Sequence, residues 1–370
     1  MARALPELVT LDLPSIAQSA PDLGGAACAA MMLGTDLDQT TLTGEAQRLG
    51  SEEPGWKMAP DSLATLLNAH RSGSGYAFHP DITADQAMRR CAWSILKDRI
   101  APAVLIWKCR HYAVVTGFEA DTTPASIDDE AWGLRGFYLR NPYGPTDHHI
   151  DVASWKAQYQ TGVLHGIWRT RRVVICAGAA AVATPQLRPD PEPPFVRRDL
   201  LGDTAIAQAA RAAIAGDRFA RHPRWREAAR DTVPGAPMLV TRLNFPSDHH
   251  TIVPMQRDGR ATLLLILDAT DGSYRESTPV DADTPASVTA ARKHLDAMLA
   301  KGAITIEGDP EPVPAWPEAT AVFPTLTWRP CLESLSPYLP FFHIHTGNRQ
   351  LHLRLDGKVF GEISIRFSGA

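Results

Sequence analysis

Thiolate acyl transfer needs a cysteine at the amino end of a helix, where free N–H groups and the helix dipole lower its pKa. It also needs an imidazole within hydrogen-bond reach, a third side chain to fix that ring's tautomer, and a donor aimed at the developing oxyanion. Residue types of this kind occur in a suggestive order along the chain. Gln18 comes first, then the small-residue run Gly24-Gly25-Ala26-Ala27-Cys28-Ala29-Ala30-Met31-Met32-Leu33. His111 follows in Arg110-His111-Tyr112-Ala113-Val114-Val115-Thr116-Gly117, and Asn141 in Leu139-Arg140-Asn141-Pro142-Tyr143-Gly144. Taken singly, each has an ordinary role: Cys28 as a small buried hydrophobe, Asn141 as a turn residue before proline. The information lies in their order.

Those residues need elements to hold them. The pattern predicts helices over 24–33, about 43–49, about 60–69 and 83–97, the last capped by Thr83. After them come β-branched or aromatic runs over 103–107, 112–118, 136–140 and 172–176, bounded by turn residues as strands are. Helices followed by strands describe an α+β domain. Residues 184–194 hold five prolines, which remove backbone donors and favour extended geometry. A domain over 1–183, a linker over 184–196 and a second α+β domain over 197–370 are therefore expected. In the second domain the sequence predicts helices over 203–215 and 285–300, with strands near 238–243, 251–255 and 261–268. A hairpin of 341–346 and 349–355 turns about Gly347-Asn348, and 358–365 forms a last strand.

The chain has 370 residues, is 44% hydrophobic and has a net charge of −4, enough for a sizeable core and no argument for nucleic-acid binding. The start lacks a secretory apolar run, and the apolar patch 177–183 is too short to span a bilayer. The five cysteines, at 28, 91, 109, 176 and 331, have no paired short spacing. They read as reduced thiols of a cytoplasmic protein.

Over about residues 10–175 the chain resembles the papain-like cysteine peptidases, and most closely the stand-alone relatives of the bacteriocin-processing, double-glycine-leader peptidases. The resemblance implies a peptide or protein substrate, no cofactor, and roles for matching residues. Gln18 corresponds to the oxyanion glutamine, His111 to the general base and Asn141 to the residue that orients it. Arg110 replaces the usual small residue before the histidine. The nucleophile position, six residues after the glutamine, is Gly24. Two readings stay open. Either Gly24 occupies the nucleophile slot and the site is degenerate, or Cys28, one turn further along the same face, attacks instead. A non-catalytic peptide-binding module is the counterpart of the first reading.

Further histidines suggest a separate possibility. A two-residue Gly347-Asn348 turn sets His343 opposite His352, with His345 on the same face, a set that could hold zinc. A half-exposed polar strand face is the plainer expectation. Asp147-His148-His149 and Asp248-His249-His250 sit among prolines and turn residues and read as solvated loops. The aromatic run Ser334–Phe342 reads as core.

Overall fold

The computed structural model describes residues 7–50, 56–108, 111–144, 147–162, 170–178, 199–215, 217–243, 248–280, 288–314, 320–322, 325–346 and 349–364. The protein is mixed α+β with mostly antiparallel strand pairing. The chain divides into two compact units at Pro193–Pro194. That point falls within 184–196, a segment that lies outside the described residues.

In the first unit, α1 (Gly24–Leu33) is the central element. Small and apolar on every side, it has no polar face to offer water, and Gly24 through Met32 are all buried. It ends where Gly34 turns left-handed (φ 66°) and Thr35 N–H returns to the Ala30 carbonyl, closing a Schellman motif. Around it stand α2 (Gln39–Leu49), capped by Asp38, and α3 (Pro60–His70), with proline in its first turn. Helix α4 (Ala84–Trp93) starts in a capping box of Thr83 and Gln86, as the sequence predicts at that end. Its last residues run on as a π-type turn, Ser94–Asp98.

The sheet beside α1 is built on β4 (His111–Ala120), whose ten residues are all buried. On one side β4 pairs with β5 (Leu134–Arg140), which pairs with β6 (Asp147–Asp151). On its other side the first half meets β3 (Ala103–Ile106) and the second half β1 (Glu7–Thr10). Beyond β3 lie β7 (Arg172–Ala177) and β2 (Tyr76–Asp81), and every pairing is antiparallel. A short α5 (Val152–Ser154), capped by Asp151, leads into a π-type turn, Trp155–Tyr159. The core between α1 and the sheet includes Met31, Leu63, Leu67, Leu105, Tyr112 and Val114. Full burial of an aliphatic side chain of this size is worth ~1.5–3 kcal/mol.

The second unit has α6 (Asp203–Ala215), the short α7 (Pro223–Ala229) and α8 (Val288–Ala300). Its strands are β8 (Val233–Pro234), β9 (Met238–Arg242), β10 (His249–Arg257), β11 (Arg260–Asp268), β12 (Tyr274–Pro279), β13 (Ala303–Ile304), β14 (Val313–Pro314), β15 (Thr320–Val322), β16 (Leu326–Trp328), β17 (Phe341–Thr346), β18 (Arg349–Arg354) and β19 (Val359–Phe360). They run in the order β12-β11-β10-β9-β16-β17-β18-β19, with β9 and β16 the parallel pair. Strand β15 also joins β17, β8 joins β10, and β13 with β14 pairs separately. The expected last strand over 358–365 is short: among its described residues pairing covers Val359–Phe360. Leu335, Tyr338, Phe341 and Phe342 are buried, so the aromatic run is core.

Candidate functional site

The strand that carries His111 pairs with β3, Ile106 lying opposite His111. Just past β3, Trp107 has a φ of 52°, a left-handed backbone that bulky residues seldom adopt. Its N–H donates to the Tyr159 carbonyl at 2.8 Å, which holds it there. The indole stacks on the imidazole with centroids 5.8 Å apart and planes 13° from parallel, so the ring is braced on one face. Arg110 lies outside the described residues.

Asn141 lies just past the end of β5, fully buried. Its Oδ1 accepts the Tyr143 backbone N–H at 2.9 Å, an Asx turn that identifies this atom as oxygen. The same oxygen lies 2.7 Å from His111 Nε2. Since that oxygen can only accept, Nε2 carries the proton and Nδ1 presents a bare lone pair. Burial pushes the His111 pKa down to about 4; the Asn141 hydrogen bond opposes this and the nearby His148 adds to it. The ring is therefore neutral at pH 7.

Gln18 is brought to the same place by its backbone. Its N–H donates to the Pro142 carbonyl at 2.9 Å, tying the N-terminal segment to the turn that bears Asn141. Gln39 clamps the residues on either side, donating to Ala17 O at 2.8 Å and accepting from Ser19 N at 2.9 Å. The Gln18 side-chain nitrogen donates to Ala20 O at 2.9 Å, which fixes the amide's orientation. Oε1 is then buried and meets no donor among the described residues.

These groups converge on Gly24, the first residue of α1. A Cβ built there would lie 2.9 Å from His111 Cε1, 3.0 Å from His111 Nδ1 and 3.3 Å from Gln18 Oε1. Gln18, residue 24, His111 and Asn141 are thus brought together. The helix start supplies free N–H groups and the positive end of a dipole. An imidazole with a bare Nδ1 and the amide that holds its other nitrogen are in position, and residue 24 has no side chain. The side chain beside the slot offers an oxygen to it, where oxyanion stabilisation needs a donor. As arranged, the slot presents two acceptors, His111 Nδ1 and Gln18 Oε1.

Cys28 is held elsewhere. It is fully buried among apolar side chains of the core, and desolvation raises its thiol pKa far above the ordinary value. The cysteines among the described residues are all reduced and buried.

The strand histidines of the second unit pair as the hairpin register requires, His343 with His352 and His345 with Gln350; Gly347-Asn348 lies outside the described residues. Zinc is nevertheless not supported. Among the described residues no three His, Cys, Asp or Glu side chains are placed to share a metal ion. The ring nitrogens of His343 lie 2.9 Å from Thr327 Oγ1 and 2.7 Å from Gln350 Nε2, and the His343 and His352 rings meet edge to face at 5.0 Å.

The two Asp-His-His segments are strands, not solvated loops. His148 and His149 are fully buried in β6, with Arg140 pairing to Asp147 at 2.7 Å and His149 3.7 Å from the Glu119 carboxylate. His250 is buried in β10, while Asp248 beside it pairs with Arg275 at 2.7 Å. Cross-strand partners neutralise what the sequence shows as a polar run. Sequence reasoning also passed over Gln39 near the site, and it gave Trp107 and His148 no part in it. The turn before His111 offered a signal for Trp107, but nothing local marks Gln39.

Comparison with family models, with curated proteins and with solved structures finds no match.

Proposed function

We propose that the first unit is a papain-like domain, related to the leader-peptidase group, that holds a peptide at the Gln18–Gly24–His111–Asn141 cleft without cutting it. The observation that carries this reading is residue 24. The space beside His111 Nδ1, where the attacking sulfur of such a peptidase would stand, belongs to a glycine. The bond of His111 to Asn141 supports kinship with the peptidases. The oxygen that Gln18 turns toward residue 24 supports loss of the chemistry. A peptide or protein is the proposed partner, because a net charge of −4 without a basic block suits nucleic acid poorly.

The competing reading, a thiol peptidase that attacks through Cys28, requires a buried thiol of raised pKa to leave the core. The two readings separate experimentally. The native protein is screened against an array of immobilised peptides, and each bound sequence is recovered for mass spectrometry. Binding of intact peptides, weakened by Gln18→Ala, is the expected result. Cleaved peptides, together with iodoacetamide labelling of Cys28 that depends on His111, would overturn it in favour of the peptidase. Absence of any bound peptide would overturn the binding role itself.

A further inference from the structure

A separate cavity of about 670 Å³ opens at the far end of α1, lined by residues from Leu11 to Ala101. Helix α1 has ten residues, so this end is about 15 Å from Gly24 at 1.5 Å per residue. The volume falls within the range of small-molecule sites, roughly 300–1,000 Å³. Leu11, Leu13, Leu33, Leu37 and Ile100 border it, and they share its walls about evenly with polar groups. Leu37, at the rim, is 41% exposed.

Charge at the rim is unbalanced. Arg71 and Arg99 both line the cavity, and neither forms an ion pair with a carboxylate among the described residues. Arg99 reaches only the Thr10 carbonyl, at 3.3 Å, and Arg71 lies against the Tyr76 phenol. Two further charged or titratable groups belong to the lining. His70 is taken by Glu45 at 2.9 Å; Asp12 also lines the cavity, and its charge, felt by Arg140, leaves the two arginines in excess by one. The negative end of α1, which would repel an anion, is blunted because Gly34 and Thr35 N–H groups cap its last carbonyls.

We infer that this cavity binds a carboxylate borne on an apolar chain, with Arg71 and Arg99 holding the carboxylate and the leucine-lined walls taking the chain. Guanidinium groups match carboxylate geometry and keep their charge at all physiological pH values. Two molecules share that chemistry: a fatty acid and the C-terminus of an apolar peptide. The site stands apart from Gly24 and does not depend on the peptide-binding proposal.

Titration calorimetry of the full chain tests it with four probes: decanoate, decanol, and an acetylated hexapeptide ending Leu-Leu as the free acid or the amide. At least one carboxylate should bind, at least tenfold more tightly than its uncharged counterpart. Arg71→Ala with Arg99→Ala should abolish that margin and leave the unfolding midpoint unchanged, because both side chains are exposed. Binding by decanoate points to a fatty acid, and binding by the free-acid peptide alone to a chain terminus; either supports the site. Leu37→Asp should weaken the same probe independently. No binding by either carboxylate, or binding that ignores both arginines, overturns the inference.

Discussion

Replacing Gly24 by alanine should destabilise this protein even though alanine is the better helix former. The new methyl would stand 2.9 Å from His111 Cε1 and 3.0 Å from Nδ1, closer than carbon atoms pack. The ring cannot swing away cheaply. Asn141 holds its other nitrogen at 2.7 Å and Trp107 covers a face. Overpacking of this kind costs ~1–3 kcal/mol. Helix propensity returns at most ~1 kcal/mol, which leaves a net loss on the order of 1 kcal/mol. Denaturant unfolding of four proteins, the native chain, Gly24→Ala, His111→Ala and the double variant, isolates the contact. Once the ring is removed, alanine at position 24 should be neutral or stabilising by up to ~1 kcal/mol. The coupling between the sites should be ~1–3 kcal/mol. If the alanine costs the same in both backgrounds, Gly24 does not abut the imidazole and the slot reading fails.

Acid should destabilise the fold early. His111 titrates at about 4 when folded and near 6.5 when unfolded, so its contribution is complete above pH 6.5 and lost as pH falls toward 4. At 1.36 kcal/mol per pH unit that amounts to about 3 kcal/mol. Burial depresses His79 and His352 to about 4 as well, in the same direction. Denaturation midpoints between pH 7 and pH 4 should fall, and His111→Gln should flatten the slope; an NMR titration placing the His111 ring near 6.5 would contradict the assignment. Gln39→Ala should cost about 1 kcal/mol, since Ser19 N and Ala17 O lose their partner but can turn to water. Hydrogen exchange should rise over residues 16–20, and unchanged protection there would show that Gln39 is not the clamp.

Much of the helical framework is legible in the sequence because its causes are local. The all-apolar run of α1 and the glycine that stops it fix both ends of that helix. Thr83 and Gln86 write the start of α4 within four residues, and the register of the β17–β18 hairpin follows from its turn length. Strands with distant partners are another matter. Strand β1 is only four residues long, too short for its pattern to stand out, and it pairs with β4, more than a hundred residues away. Strand β6 hides its charge in Arg140 and Glu119 on neighbouring strands, so its Asp-His-His opening resembles a loop until those partners are known.

The candidate site divides in the same way. Gln18, His111 and Asn141 and their order can be read along the chain, and so can the two contenders for the attacking position. Which contender meets the imidazole cannot, because helical periodicity places residues 24 and 28 on one face. Depth in the fold separates them. Packing against the sheet sinks the thiol of Cys28 into the core and leaves the backbone of Gly24 against the ring. The Gln18 amide is turned by the Ala20 carbonyl only two residues on, but that its remaining oxygen then faces residue 24 is decided by the tertiary structure.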